Sequence, residues 1–277
     1  MCGKLLWSLV LFGSYAAQAQ SGWNAMADLN LVNAFSRIHG DIFSPAVNPA
    51  SLAAAKNGGI SVSGERKFLL PELSAYEVRG GLITSSGNFG LGIQMTGTDL
   101  FKETRTGLSY ARKLSDQLEA GAEIHFVSIS MGGYGKVSVP GFGLGLLLHP
   151  NEKLHIGLST QDPISRSFGK EGEGSLPYLY TMGVGFEPSR NFLLAFLVHK
   201  EESRPVEASA VIQYFPLDLV CVRAGMSLFN QTAGLALGWQ RSIDAAKLKI
   251  FISTQYHFQL GITPGIQVQY SFSKKQQ

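Results

Sequence analysis

The sequence predicts an all-β chain: a closed antiparallel transmembrane β-barrel of about fourteen strands, preceded by an N-terminal hatch segment containing a short helix. Three observations carry this reading: an export signal at the start, period-two alternation through most of the chain, and turns whose lengths alternate.

The first element is the signal. Lys4 supplies a short positive region, Leu5–Phe12 an apolar core and Ala17-Gln18-Ala19 a small-x-small cleavage site, so the mature chain is expected to start at Gln20. The apolar run is too short for a helix crossing a bilayer of roughly 30 Å. Beyond it no apolar stretch of helical membrane-spanning length occurs, which excludes a helical membrane protein. Loss of Lys4 lowers the formal net charge from +3 to +2, and no Lys/Arg block exists to make nucleic acid a partner. The mature chain keeps one cysteine, Cys221, which excludes an internal disulfide. Gly is 32 of 277 residues and charged residues are 16%, a balance that suits close-packed strands with an apolar exterior.

The second element, residues 20–57, has mixed composition, with a helix expected over Pro49–Lys56 behind Asn48 as cap. From residue 58 the alternation begins and defines the third element, a barrel over 58–277. Strands are expected near 59–66, 72–84, 89–97, 102–113, 118–131, 136–148, 154–161, 177–187, 192–201, 204–215, 217–229, 231–242, 247–260 and 265–272. Over Lys247–Leu260 one face reads Leu248, Ile250, Ile252, Thr254, Tyr256, Phe258 and Leu260. The other reads Lys249, Phe251, Ser253, Gln255, His257 and Gln259. Strands of this length with one apolar face match tilted membrane-crossing strands, and Tyr178, Phe186, Trp239 and Phe272 near strand ends suit interfacial girdles. Phe192–Val198 is apolar on both faces, so periodicity alone leaves it unoriented.

With the barrel's start in the periplasm, the turns at Ser85-Ser86-Gly87-Asn88, Ser115-Asp116, Pro150-Asn151-Glu152-Lys153, Pro188-Ser189-Arg190-Asn191 and Pro216-Leu217-Asp218 fall on that side, and all are tight. The longest connection, Gln161–Leu176, falls on the other, as outer-membrane barrels require. The expected location is therefore the cell outer membrane of a Gram-negative bacterium, with its lipid as first partner. Without water to bond exposed backbone, the sheet must close. Eight strands already make an interior just wide enough for side chains to fill. About fourteen leave space for a plug, and residues 20–57 are available to fill it.

At Asp41-Ile42-Phe43-Ser44-Pro45-Ala46-Val47-Asn48-Pro49-Ala50-Ser51-Leu52-Ala53 the chain resembles the FadL-like superfamily of outer-membrane proteins, and within it the PorV/PorQ-type family of Bacteroidetes. Asn48, Pro49, Ala50 and Leu52 carry the local mark. Further similarity lies at Tyr110-Ala111-Arg112-Lys113-Leu114, Leu118-Glu119-Ala120-Gly121-Ala122 and Leu154-His155-Ile156-Gly157-Leu158. The resemblance implies a fourteen-stranded barrel with an N-terminal hatch. It implies either movement of hydrophobic compounds across the outer membrane or, for PorV-like members, service in type IX secretion by binding cargo proteins. Thr263, Gly265, Val268 and Tyr270 loosely fit the terminal barrel-assembly pattern, although Ser273–Gln277 extends past its usual end.

Catalytic motifs are absent: the sequence holds no His-Glu-x-x-His, Cys-x-x-Cys or Gly-x-Ser-x-Gly. His257 beside Ser253 and Gln255 reads as polar lumen wall, and Cys221 as a small core residue. An enzyme, a metal site and a cofactor are not expected. The candidates for lining the lumen are Glu77, Arg79, Gln94, Glu123, His125, Glu207, Gln213, Arg223, Gln240, Lys249 and Gln255, on the polar sides of their strands. Cross-strand pairing or hatch binding is their structural role, and conduit selectivity their functional one. The leading expectation is passage or binding of a small hydrophobic solute. The alternative is a type IX secretion component acting by protein–protein interaction.

Overall fold

A computed structural model describes residue 29 and residues 31–133, 135–163, 166–168, 174–202, 204–229, 231–243 and 246–272. The expected export signal and residues 273–277 lie outside them. Fourteen antiparallel strands close into one barrel. They are β1 (Gly58–Arg66), β2 (Ser74–Thr84), β3 (Gly87–Gly97), β4 (Phe101–Lys113), β5 (Leu118–Met131), β6 (Gly135–Leu148), β7 (Leu154–Gln161), β10 (Leu179–Ser189), β11 (Phe192–Glu201), β12 (Glu207–Leu217), β13 (Val220–Ser227), β14 (Thr232–Ile243), β15 (Ala246–His257) and β16 (Gly261–Phe272). The connection from β7 to β10 holds a separate hairpin of β8 (Arg166–Phe168) and β9 (Gly174–Leu176). Each barrel strand pairs with its neighbour in the chain, and β1 closes on β16 through pairs from Gly58↔Phe272 to Glu65↔Gly265. Among the described residues no helix is long and apolar enough to cross a membrane.

The alternation becomes two faces. Ile124 is 59% exposed and Leu237 57%, while Glu123 and Ala236, each next to one of them, are buried. The outward side chains are predominantly apolar and exposed, an arrangement that suits lipid as solvent. Phe192–Val198 is now oriented. Leu194, Phe196 and Val198 point out, while Leu193, Ala195 and Leu197 point in and are fully buried. The inward set is apolar because the N-terminal segment covers it. Leu29, Val32, Ala34 and Phe35 form one core with Leu193, Ala195, Leu197, Val211 and Ala236.

Three boundaries differ from expectation, each for a physical reason. The expected strand over 247–260 stops at His257, whose Nδ1 accepts from the Gln259 and Leu260 backbone N–H groups (3.1 and 3.2 Å). The chain then turns into β16 at Gly261, which has a φ of +96°. Pro188 and Pro216, read as turn residues, lie inside β10 and β12. Each sits where the pairing register shifts, at a bulge that tolerates a residue without an N–H. The short turns are therefore tighter, at 190–191 and 218–219.

Inside the barrel the N-terminal segment runs through 3₁₀ turns at Leu31–Phe35, Ser44–Ala46 and Pro49–Ala54. The helix expected over Pro49–Lys56 is thus present but 3₁₀ and shorter. Asn48 Oδ1 accepts from Ala50 N (3.0 Å), and Pro49 at the first position needs no donor partner.

Candidate functional site

The interior is the candidate site, and its geometry follows from how the segment seats on the wall. The inner faces of β5, β6, β7 and β10 carry Gly121, Gly145, Gly157, Gly183 and Gly185. A Cβ on Gly185 would strike the Phe35 carbonyl, and one on Gly145 the Asn48 side chain. Backbone therefore meets backbone, and side-chain bonds tie the two together. Asn48 Nδ2 donates to Leu146 O (3.1 Å), Ser159 Oγ to Val47 O (2.7 Å) and Gln161 Nε2 to Ala46 O (2.9 Å). Asn88 Nδ2 donates to Leu52 O (2.8 Å). Asn48, Pro49, Ala50 and Leu52 are all buried, so the Asn-Pro-Ala element caps a turn and pins it to β6.

Two polar networks occupy the inner wall. In the first, Arg105 Nη2 donates to Glu123 Oε1 (3.1 Å) and to His125 Nδ1 (2.9 Å). With Nδ1 accepting, His125 donates from Nε2 to Asp162 Oδ2 (3.0 Å). Ser109 Oγ donates to Glu123 Oε2 (2.9 Å). Asp162, in left-handed backbone with φ +47°, follows the last residue of β7; its Oδ1 accepts from Phe142 N (3.2 Å) and its N donates to Phe142 O (2.8 Å). It thereby caps the β6–β7 seam, whose last strand pair is Gly143↔Gln161.

The second network lies towards the short turns. The Ser36 hydroxyl donates to Glu187 Oε1, and His155 Nε2 donates to Glu187 Oε2 (2.8 Å). That tautomer leaves His155 Nδ1 to accept from His149 Nδ1 (2.8 Å). His149 Nε2 faces Glu119 Oε2 at 3.6 Å, within ion-pair distance but beyond a hydrogen bond. All five side chains are buried.

The remaining expected lumen residues are placed as follows. Arg79 pairs with Glu77 on β2, and Gln94 lies opposite Glu77 on β3. Glu207 Oε2 lies 2.8 Å from His199 Nε2. Arg223 Nε donates to Gln213 Oε1 (2.7 Å) and its guanidinium stacks 4.1 Å over the Phe251 ring. Gln255 is buried; Gln240 and Lys249 line a cavity of about 310 Å³ at the short-turn end. In that cavity His39 stacks on Phe215 (4.9 Å, 18°), and burial lowers its imidazole to about 4. The structure brings Glu123 and His125 together and leaves Glu207 apart from them. Cys221 is buried beside Arg223. Among the described residues no His, Cys, Asp and Glu group is arranged to hold a metal.

Sequence reading missed Arg105, Asp162, His149, His155, Glu187 and Ser36. Parity marks Arg105, His155 and Glu187, which share a face with Ser109, Gly157 and Gly185 respectively. His149 lies in a turn and Ser36 in a segment without period, so neither carried a signal.

No family model matches the chain, and no curated protein matches it. Solved structures do, as a fold. A FadL homologue from Pseudomonas aeruginosa superposes with a TM-score of 0.62 at 12% identity, covering 91% of this chain and 97% of its own. The Pseudomonas putida toluene transporter TodX gives 0.61 at 12%, covering 87% and 98%. CymD, a monoaromatic hydrocarbon channel, gives 0.59 at 13%, covering 85% and 94%. The chain therefore has the fold of the FadL-type barrels.

Proposed function

We propose that this chain is an outer-membrane barrel that passes a small hydrophobic solute, with residues 20–57 as its hatch. The short turns then face the periplasm and the 162–178 connection the cell surface. The observation that carries the reading is the apolar inner track of Leu193, Ala195, Leu197 and Val211, buried beneath Leu29, Val32 and Phe35. Displacing the segment uncovers this apolar path on the inner wall. The names of the structures that share this fold, a toluene transporter and a hydrocarbon channel, support the same solute class.

The test is uptake of a radiolabelled monoaromatic hydrocarbon by intact cells whose outer membrane excludes it. Cells displaying the chain should take it up faster than vector controls, and cells with Phe35→Ala faster still. Uptake equal to the control in both overturns the proposal. A type IX secretion role rests on the resemblance at Asp41–Ala53 alone. Those residues already have a structural task in seating the segment, so the transport reading is preferred.

A further inference from the structure

The 310 Å³ cavity at the short-turn end has a chemistry of its own. Its walls are Ile38, His39, Asp41, Ile42 and Lys56 of the segment, Arg190 and Phe215, and Lys247 and Lys249 from the inner face of β15. Among the described lining residues, four cations (Lys56, Arg190, Lys247 and Lys249) face two carboxylates, Asp41 and Asp218. Asp41 is already engaged. It accepts from Asn33 Nδ2 (2.6 Å), from the Phe43 and Ser44 backbone N–H groups (3.0 Å each) and from Ser44 Oγ (2.9 Å). The four cations make no ion pair among the described residues. His39 adds a buried Nε2 with no hydrogen-bond partner. Lys56 and Arg190 are exposed, while Lys247 and Lys249 stand half-buried on the inner wall, and the surplus of cations over carboxylates around the cavity favours an anion. Phe215, Ile38 and Ile42 line another part of the same cavity. A bare inorganic ion would leave that apolar surface empty, whereas an organic anion covers it.

We propose that this cavity is a binding site for a small carboxylate with a compact apolar body, its carboxylate held by Lys249 and Lys247 and its body lying along Phe215. The cations on β15 and at Arg190 belong to the barrel wall and its turn, while His39 and Lys56 belong to the segment. An occupant would therefore bridge hatch and wall. The site is read from binding alone and stands or falls without any measurement of transport.

Benzoate is the probe, followed by equilibrium dialysis against the purified full chain in detergent at neutral pH. Saturable binding is expected, weakened about ten-fold or more in Lys249→Gln and in Lys247→Gln. Lys136→Gln, at the opposite end of the barrel, should leave it unchanged. Neutral benzyl alcohol should show no dependence on Lys249, and inorganic phosphate should bind more weakly than benzoate. Phe215→Ala should weaken benzoate binding and leave phosphate unaffected. Heat-modifiable gel mobility verifies that each variant remains a folded barrel, and Lys247→Gln, at a half-buried position, stands in if Lys249→Gln fails that check. Absence of saturable benzoate binding, or binding indifferent to both lysine substitutions, overturns the site. Phosphate bound in preference to benzoate overturns the assigned ligand class.

Discussion

Phe35→Ala separates the hatch from the barrel energetically. The ring is fully buried, and it lies against the backbones of Gly157, Gly183 and Gly185 with no side chain between. Truncating a buried Phe to Ala costs about 3–5 kcal/mol, because transfer energy is lost and the cavity does not collapse. Glycine backbones held in a closed ladder have little freedom to move in, so the upper part of that range applies. The ladder itself loses no hydrogen bond, and the cost therefore falls on docking of the segment. At about 1.4 kcal/mol per factor of ten, the undocked population should rise by roughly three orders of magnitude or slightly more. The assay is trypsin cleavage after Arg37, which is half-buried in the docked segment. When opening and closing are fast, cleavage tracks the open population. Gly185→Ala should act in the same direction, since its Cβ would strike the Phe35 carbonyl. Unchanged cleavage in both variants, with the barrel intact by heat-modifiable mobility, would refute the idea that Phe35 and the glycine wall hold the segment.

Three further outcomes are expected. Glu187→Leu leaves the Ser36 hydroxyl and His155 Nε2 without an acceptor, at roughly 1–3 kcal/mol each, read as a lower denaturant midpoint, with Glu187→Gln milder. Ile124→Arg places a charge on the outward face mid-strand and should cost about 2–4 kcal/mol in guanidinium unfolding from lipid vesicles; an unchanged midpoint would mean that this face does not meet lipid. His39 has a folded pKa of about 4, below its ordinary value of 6.5, so the unfolded chain binds the proton more readily. Its contribution to segment docking is fully present above pH 6.5 and is lost as pH falls towards 4. Hydrogen exchange of segment amides should report that loss in the native chain, and its absence in His39→Phe, which keeps the stack on Phe215.

The barrel was legible because lipid on one side and protein on the other impose a strict period of two. That is why β15 can be read residue by residue from Leu248 to Tyr256. Where a third party intrudes, the period blurs. Leu193, Ala195 and Leu197 are apolar on the inner face only because the segment covers them, and nothing local says so. Pro188 and Pro216 carry a turn signal that a bulge satisfies equally well. The polar interior was legible as a face but not as partners. Arg105 meets His125 and Asp162 through strands brought side by side by register, and Asp162 belongs to a loop outside any alternation. The His149–His155 contact spans a turn and likewise depends on three-dimensional closure.

The seam between β6 and β7 closes only as far as Gly143, while β6 continues upward to Gly135 and remains paired with β5. Asp162 is where the ladder hands over to the connection that leads to β10, and its carboxylate and amide close the last step on Phe142. Every pair from Gly143↔Gln161 down to Leu148↔Ile156 is fixed by register on both strands. The connection that follows lies outside that register and can lengthen or change sequence without disturbing the ladder below. The wall must satisfy lipid on one face and the packed segment on the other, so new recognition has most room to arise along this connection.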